Sequence, residues 1–232
     1  MRLNKFLSQS GIASRRKSDE LIKMATTEVN GVLCFDPAYD VKKSDIVKYD
    51  GKKISVIEKK IVIMLHKPKN FITTVSDTHG RKTVMDLIPN DIHLNPVGRL
   101  DKDTTGLLLL TNDGELHQYL THPKNSIPKD YEVVIEGKLD NFQIKKIKKG
   151  VYIGQKEYGR ANVLNQDTKK GRSKVVLQLT QGKKREIRRL FYRLGVKLLT
   201  LKRVKFSNLS LGNLNVGNYI KLNIRQIQLL RR

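Results

Sequence analysis

The tetrapeptide Leu107-Leu108-Leu109-Leu110 constrains this chain more than any other stretch. A loop rich in polar and charged residues, Pro96-Val97-Gly98-Arg99-Leu100-Asp101-Lys102-Asp103-Thr104-Thr105-Gly106, runs into it, and Thr111-Asn112-Asp113-Gly114 follows. A wholly apolar run too short for a helix and bounded by turn signals predicts a buried strand. Asn112-Asp113-Gly114 then closes it with turn chemistry. The loop carrying Arg99 and Asp101 is therefore pinned against a core strand, where rigid support suits precise chemistry. The plainer alternative is a surface turn in which Asp101 or Asp103 bonds only local backbone.

Charge narrows the choice of partner. The 232 residues carry 46 Lys+Arg against 22 Asp+Glu, a formal net charge of +24. Such a surplus favours a polyanion, because each neutralised phosphate releases counterions. Between Thr168 and Lys205 there are fourteen basic residues and a single acid, Glu186, whereas residues 1–60 hold thirteen basic and eight acidic. The concentration of charge predicts a nucleic-acid face. The single cysteine, Cys34, excludes an internal disulfide and a multi-cysteine zinc cluster, and is expected to be a small buried hydrophobe. Five scattered histidines form no H-E-x-x-H pattern, so no metal is expected. The N-terminus lacks an apolar signal core, and Ile61–Leu65 and Leu107–Leu110 are too short to span a bilayer, so a soluble, cytosolic protein is expected.

The chain has room for one large domain or a large plus a small one, and the boundary is expected at residues 59/60, within the charged linker Glu58-Lys59-Lys60. In the first part, Leu3, Phe6 and Leu7 mark a short helix ending at Gly11. Ser14 is suited to N-cap a second helix with Leu21 and Ile22 inside. Arg15, Arg16 and Lys17 fall in its first turn, where cations oppose the macrodipole, so an anion such as phosphate is expected there. Glu28–Val32 and Ile46–Ile54 are strands with turns. In the second part Ile61–Leu65, Tyr131–Ile135, Val175–Leu179 and Leu198–Val204 are predicted strands. Leu139–Lys149 and Glu186–Leu194 are predicted helices and Val84–Ile88 a short helix or turn ending at Pro89, giving two or three helices. Strands joined by short turns with irregularly placed helices argue for α+β.

Gly98-Arg99-Leu100-Asp101-x-x-Thr104-x-Gly106-Leu107 resembles the active-site motif of the pseudouridine synthases that modify ribosomal RNA. Lys67-Pro68, Lys129-x-Tyr131 and Lys184-Arg185-Glu186-Ile187-Arg188-Arg189-Leu190 follow the family's order and spacing. The N-terminal segment, through Arg2-Leu3-x-Lys5-Phe6-Leu7, Gly11-x-Ala13-Ser14-Arg15-Arg16, Val29-Asn30-Gly31 and Asp50-Gly51, resembles the small RNA-binding domain of the S-four type. The resemblance implies a mixed, mainly antiparallel central sheet with flanking helices and a cleft across its middle, plus a small N-terminal α/β RNA-binding domain over 1–59. Three departures stand out: Ala25 and Asn70 where the family prefers Gly, and Lys183 where it usually has Arg. Asn visits the left-handed region more readily than other non-Gly residues.

Carried over residue by residue, the resemblance makes Asp101 the catalytic carboxylate and Arg188 its basic partner. Tyr131 becomes the aromatic against the uracil, Ile187 the apolar floor, and Arg99 the side chain that fills the space a flipped uridine leaves. Thr104 joins this substrate-binding set. RNA contacts are expected from Arg2, Lys5, Ser14, Arg15, Arg16, Lys17, Asn30, Lys183, Lys184 and Arg185, while Arg189 is expected to contribute surface charge only. Isomerising uridine imports no group and oxidises nothing, so no cofactor is expected, in keeping with the lack of a phosphate-binding glycine loop. The expected partner is ribosomal RNA, as precursor or in an assembling subunit, met by a monomer. The wording of Lys184–Arg189 is closer to enzymes of large-subunit RNA. A non-catalytic RNA-binding or ribosome-assembly factor would also explain the charge, but not Asp101, Tyr131 and Arg188 together; an RNA methyltransferase would need a nucleotide loop that is missing.

Overall fold

A computed structural model describes residues 1–57, 59–89 and 93–231. Glu58 of the expected linker lies outside the described residues. The chain divides into two compact units, one built on Met1–Lys60 and the other on Ile61–Asn90 and Leu94–Arg232.

The first unit opens with α1 (Leu3–Gln9) and α2 (Arg15–Lys23) and continues with β1 (Thr27–Val29), β2 (Val32–Leu33), β3 (Val47–Tyr49) and β4 (Lys52–Lys53). The strands form one sheet in the order β2-β1-β3-β4. Leu3, Leu7, Ile22, Val29, Val41 and Val47 make the core. Cys34 is only half-buried, at the margin of that core, with its Sγ directed at the Asp36 carbonyl. Ala25 takes φ 60°, so alanine holds the left-handed backbone after α2 that glycine adopts more easily.

The second unit contains β5 (Val62–Lys67), β6 (Asn95–Pro96), β7 (Thr105–Thr111), α3 (Gly114–Thr121), β8 (Lys129–Glu136), α4 (Asn141–Lys149), β9 (Val151–Gly154), β10 (Glu157–Gly159), β11 (Asn162–Lys169), β12 (Arg172–Leu179), α5 (Glu186–Arg193), β13 (Leu198–Phe206), β14 (Leu209–Ser210), β15 (Tyr219–Lys221) and α6 (Ile224–Leu229). Its sheet runs β11-β12-β8-β13-β7-β5-β15, with β14 on β13 and β6 on β7. Every described pair is antiparallel except β7 with β13. This is the expected mixed, mainly antiparallel α+β architecture. All four leucines of β7 are fully buried, as a strand covered on both faces requires.

Four α-helices occur among the described residues of this unit, more than the two or three expected. Asp113, read as part of a turn, instead caps α3 by accepting from the amides of Glu115 and Leu116. At only six residues, α6 is too short for periodicity to show, but Asn223 and Gln226 form a capping box at its start. Neither was β11 visible in the pattern, because this edge strand is mostly exposed and pairs through its backbone. The short helix or turn expected at 84–88 is a single 3₁₀ turn over Val84–Leu87.

The parallel seam between β7 and β13 bears directly on the site. Gly106 faces Arg203 across it with φ 107°, and a Cβ there would lie 2.6 Å from the Arg203 amide nitrogen and against its carbonyl. Only glycine lets the two backbones meet at this point. The strand that follows the Asp101 loop is thereby seated in the middle of the sheet.

Candidate active site

Asp101 lies in the loop between β6 and β7, and that loop is held from below by the end of β5. Lys67 is fully buried. Its Nζ lies 2.9 Å from the Pro68 carbonyl, 3.2 Å from that of Asp101, 3.3 Å from that of Lys102 and 3.0 Å from that of Thr104. An ammonium has three protons, so the four carbonyls share them. Burial lowers the Lys67 pKa to about 8, and the nearby Asp103 and Asp101 pull it back up. Pro68 has no amide hydrogen to continue the strand, and Asn70 turns the chain at φ 69°, the left-handed conformation expected of it. The Asn70 amide then donates to the Lys102 carbonyl at 2.9 Å. Thr73 fastens Leu100 twice, its hydroxyl donating to the carbonyl at 2.8 Å and accepting from the amide at 3.2 Å.

The facing wall comes from the loop between β12 and α5. Glu186 is buried and accepts from the amides of Lys183 at 3.0 Å and Arg160 at 3.3 Å. Burial raises its pKa, and the two amide donors work against that rise. Arg185 precedes α5 in the left-handed region, φ 50° and ψ 34°, a conformation costly for a side chain of its size. In that conformation its Nη1 lies 3.8 Å from Asp101 Oδ2, while Arg188 Nε lies 4.0 Å from the same oxygen. Arg188 Nη2 reaches on to the Asp103 carbonyl at 3.1 Å and the Thr104 hydroxyl at 3.4 Å. Two guanidinium groups thus meet one carboxylate. Arg188 was expected beside Asp101; Arg185, expected only to touch RNA, joins it there.

Arg99, Asp101, Thr104, Tyr131, Ile187 and Arg188 all line one cleft of about 90 Å³, together with Lys183 and Arg185. Tyr131 enters from the middle of β8, where it pairs in register with Arg203 of β13. Ile187 is buried and belongs to the core under α5, with Leu190 and Phe191. Lys184 is exposed and does not line the cleft. Lys183 turns its Nζ to the Tyr158 carbonyl. The arrangement is a carboxylate between cations, with an aromatic ring and an apolar floor beside it. Such a cleft suits a flat, polar ring attached to a sugar.

Arg189 departs from the expectation of surface charge. Its guanidinium binds the carbonyls of Ile153 at 2.8 Å, Gly154 at 2.8 Å and Lys184 at 3.1 Å, and the Glu157 carboxylate at 2.7 Å. It ties the β9–β10 hairpin to α5, a task hidden from sequence because the hairpin lies more than thirty residues away. The positioning role of Lys67 is also new. Its signals were the Lys67-Pro68 motif, to which the sequence alone attaches no role, and a lysine ending an otherwise buried apolar strand, since such an ammonium needs polar partners in the core.

In the first unit, Ser14 caps α2 by accepting from the Lys17 amide at 3.3 Å. Arg2, Arg15 and Arg16 are exposed, and Lys5 is half-buried. Lys17 is exposed too but pairs with Glu20 at 2.8 Å, so two of the three expected cations remain uncommitted at this helix start. Asn30 commits its amide to the fold, donating to Asp45 at 3.0 Å and accepting from the Ile46 amide at 2.9 Å.

A family model for RNA pseudouridylate synthases matches residues 61–192, and one for the S4 domain matches residues 1–47. The ribosomal large subunit pseudouridine synthase B of Bacillus subtilis (strain 168) is 36% identical, covering 99% of this chain and 95% of the relative. An RNA pseudouridine synthase of Aquifex aeolicus (strain VF5) is 37% identical over 96% of this chain and 90% of its own. A crystal structure of a pseudouridylate synthase superposes with a TM-score of 0.70 at 26% identity, covering 99% of both chains. Shared over nearly the full length, the fold and the sequence together place this chain in the RNA pseudouridylate synthase family.

Proposed function

We propose that this protein isomerises uridine to pseudouridine at specific sites in ribosomal RNA, with Asp101 as the catalytic carboxylate. The observation that carries the reading is Asp101 Oδ2 set 3.8 and 4.0 Å from two guanidinium groups in the cleft shared with Tyr131, Ile187 and Arg99. The reaction breaks the bond between C1′ and N1 of the uracil, turns the base and joins C1′ to C5. The hydrogen leaving C5 is replaced by one on the freed N1, so atoms and electrons balance without an added reagent. A carboxylate beside the ribose serves by attacking C1′ or by taking the 2′ proton. Both routes need the anion, and both need the uracil held in place while detached.

Arg188 and Arg185 hold the Asp101 carboxylate toward the sugar, Tyr131 lies against the base, and Ile187 forms its floor. A uridine within RNA structure must leave its stack, at a cost of a few kcal/mol; Arg99, exposed at the rim, takes the vacated space. Large-subunit RNA is the favoured substrate, because the relative 36% identical over the full chain is named for it. The RNA-binding role falls to residues 1–59, through the exposed Arg2, Arg15 and Arg16 at the start of the unit and of α2, with chemistry confined to residues 60–232. We assign the protein to the cytoplasm as a monomer.

Two experiments test this. Mapping pseudouridines in ribosomal RNA with and without the gene should show sites that vanish with it; an unchanged map overturns the reading. Asp101→Asn is nearly isosteric and removes the anion. Release of the C5 hydrogen from labelled uridine should fall to background while RNA still binds. Activity surviving intact in that variant would refute the catalytic assignment.

A further inference from the structure

Beside the catalytic cleft lies a larger cavity, of about 580 Å³, that the isomerisation of one uridine does not use. Val97, Leu120, Ile127 and Phe206 form an apolar part of its wall and Thr121, His122, Ser126 and Thr180 a polar part, and Arg99, Tyr131, Gln181, Gly182 and Lys183 line both it and the catalytic cleft. Four cations line it, Arg99 and Lys183 on the side shared with the catalytic cleft and Lys129 and Arg203 beside Phe206. Arg203 is only 2% exposed. Its Nε donates to the Leu107 carbonyl at 2.7 Å and its guanidinium sits 5.1 Å over the Phe206 ring, yet one Nη2 is buried without any hydrogen-bond partner. Lys129 donates to the Ile127 carbonyl at 2.8 Å, with its Nζ 5.3 Å from the centre of the same ring.

Two cations against one aromatic ring repel each other, and neither forms an ion pair with a carboxylate among the described residues. The charged groups acting on Lys129 are Arg203, which opposes its protonation, and more weakly Glu186, which favours it. Burial is the larger cause and Arg203 adds to it, and the Lys129 pKa falls to about 8. A buried guanidinium with an idle N–H next to an unpaired ammonium is an arrangement completed by an anion. The apolar part of the wall suits the sugar that carries such an anion, and the volume lies within the range of ligand sites.

Resting on the reading of the protein as an RNA-modifying enzyme, we propose that this cavity is a second RNA subsite, in which Lys129 and Arg203 together hold one backbone phosphate of the strand flanking the target uridine. The two groups touch the phosphate rather than the reacting base. They fix the register of the strand so that one uridine, and not its neighbour, faces Asp101. Seated between the phosphate site and the catalytic cleft, Arg99 and Tyr131 mark the path from one to the other.

The test begins with inorganic phosphate alone. With lysine labelled at the ε-carbon, the NMR titration of Lys129 should move up from about 8 by at least about one pH unit on adding phosphate. Chloride at equal ionic strength should not move it, and Lys129→Met removes the signal and so identifies it. Arg203→Lys keeps a cation at a buried position, and should weaken the phosphate effect by losing the forked donor. A Lys129 titration that phosphate leaves unmoved overturns the site, whatever the enzyme's activity.

The second arm uses substrate RNA carrying a neutral methylphosphonate at one phosphate at a time. A single position should weaken binding to the wild type by about tenfold or more and have little further effect on Lys129→Met. Phosphate binding with no such position overturns the assignment to the RNA backbone and leaves a site for a free anion. Failure of the isomerase reading is distinct, since it removes hydrogen release from C5 while the titration of Lys129 still responds.

Discussion

The two walls of the catalytic cleft are organised by buried charges of opposite sign. On the Asp101 side a cation, Lys67, collects backbone carbonyls from Pro68 just beyond its own strand and from Asp101, Lys102 and Thr104 of the loop. On the opposite side an anion, Glu186, collects backbone amides of Lys183 and Arg160. Each uses main-chain groups that no regular ladder satisfies, so each converts a loop into a fixed element. The outcomes differ. Lys67 spans residues 68–104 and immobilises the loop that presents the carboxylate. Glu186 touches its loop at one residue, Lys183, whose Nζ is tied to the Tyr158 carbonyl, while Arg185 turns to Asp101 and Lys184 stays exposed. The contrast teaches that the Asp101 loop is fixed along its backbone, whereas the facing loop is fixed at one amide and through its own side chains.

The largest test of that contrast is Lys67→Met. Methionine fills the space but donates nothing, so the carbonyls of Pro68 and Thr104 lose the ammonium at about 1–3 kcal/mol each, while those of Asp101 and Lys102 keep the amides of Thr104 and Asn70. Denaturant unfolding should show a loss of about 3 kcal/mol or more, and turnover should fall with RNA binding nearly intact. A folded, fully active variant would break the idea that Lys67 positions Asp101.

Arg188→Met comes next. It removes the contacts to Asp101, the Asp103 carbonyl and the Thr104 hydroxyl. The catalytic rate should fall by at least about tenfold, with KM changed far less, as expected when an interaction acts on the reacting group rather than on binding. Arg189→Met should reveal a different defect. The hairpin formed by β9 and β10 loses its tie to α5, and stability should drop by about 1–2 kcal/mol in unfolding experiments, ahead of any direct effect on chemistry.

Acidity separates the two charged hubs by sign. The folded pKa of Lys67 is about 8, below its ordinary 10.5, so between these values the unfolded chain binds more protons and stability rises with pH. Lys129 adds a rise of the same sign over the same window. Lys67→Met should therefore flatten part of the rise in unfolding free energy between pH 8 and 10.5. Glu186 behaves oppositely. Its folded pKa is raised above 4.5, so the folded state binds more protons just above that value and stability falls as pH climbs through the window. Glu186→Gln should remove that fall, and at neutral pH should cost about 1 kcal/mol, because an amide offers one acceptor oxygen where the carboxylate used two. This is the smallest effect of the set.

Local chemistry was legible where a few consecutive residues settle the outcome. The leucine run of β7, the cap at Ser14 and the left-handed turn at Asn70 depend on neighbours within a turn or two, and each could be read from them. The motif order also pointed to Asp101, Tyr131, Ile187 and Arg188, which the fold collects in one cleft. Polar segments were harder. The edge strand β11 forms through backbone pairing, and α6 is shorter than one period of the pattern would reveal.

What the sequence by itself determined is the mixed α+β class, the concentration of basic charge and, of the residues lining the cleft with Asp101, Arg99, Thr104, Tyr131, Ile187 and Arg188 but not Arg185. Only the tertiary structure decided how they are held. Lys67 meets the Asp101 carbonyl across 34 positions of chain, and Arg188 meets Thr104 across 84. Arg185 comes beside Asp101 because a left-handed residue at the start of α5 swings it there. Arg203 lies opposite Gly106 because two distant strands run parallel. Periodicity and turn chemistry act between near neighbours in the chain, whereas a buried charge finds its partners only when packing brings remote backbone within hydrogen-bond reach.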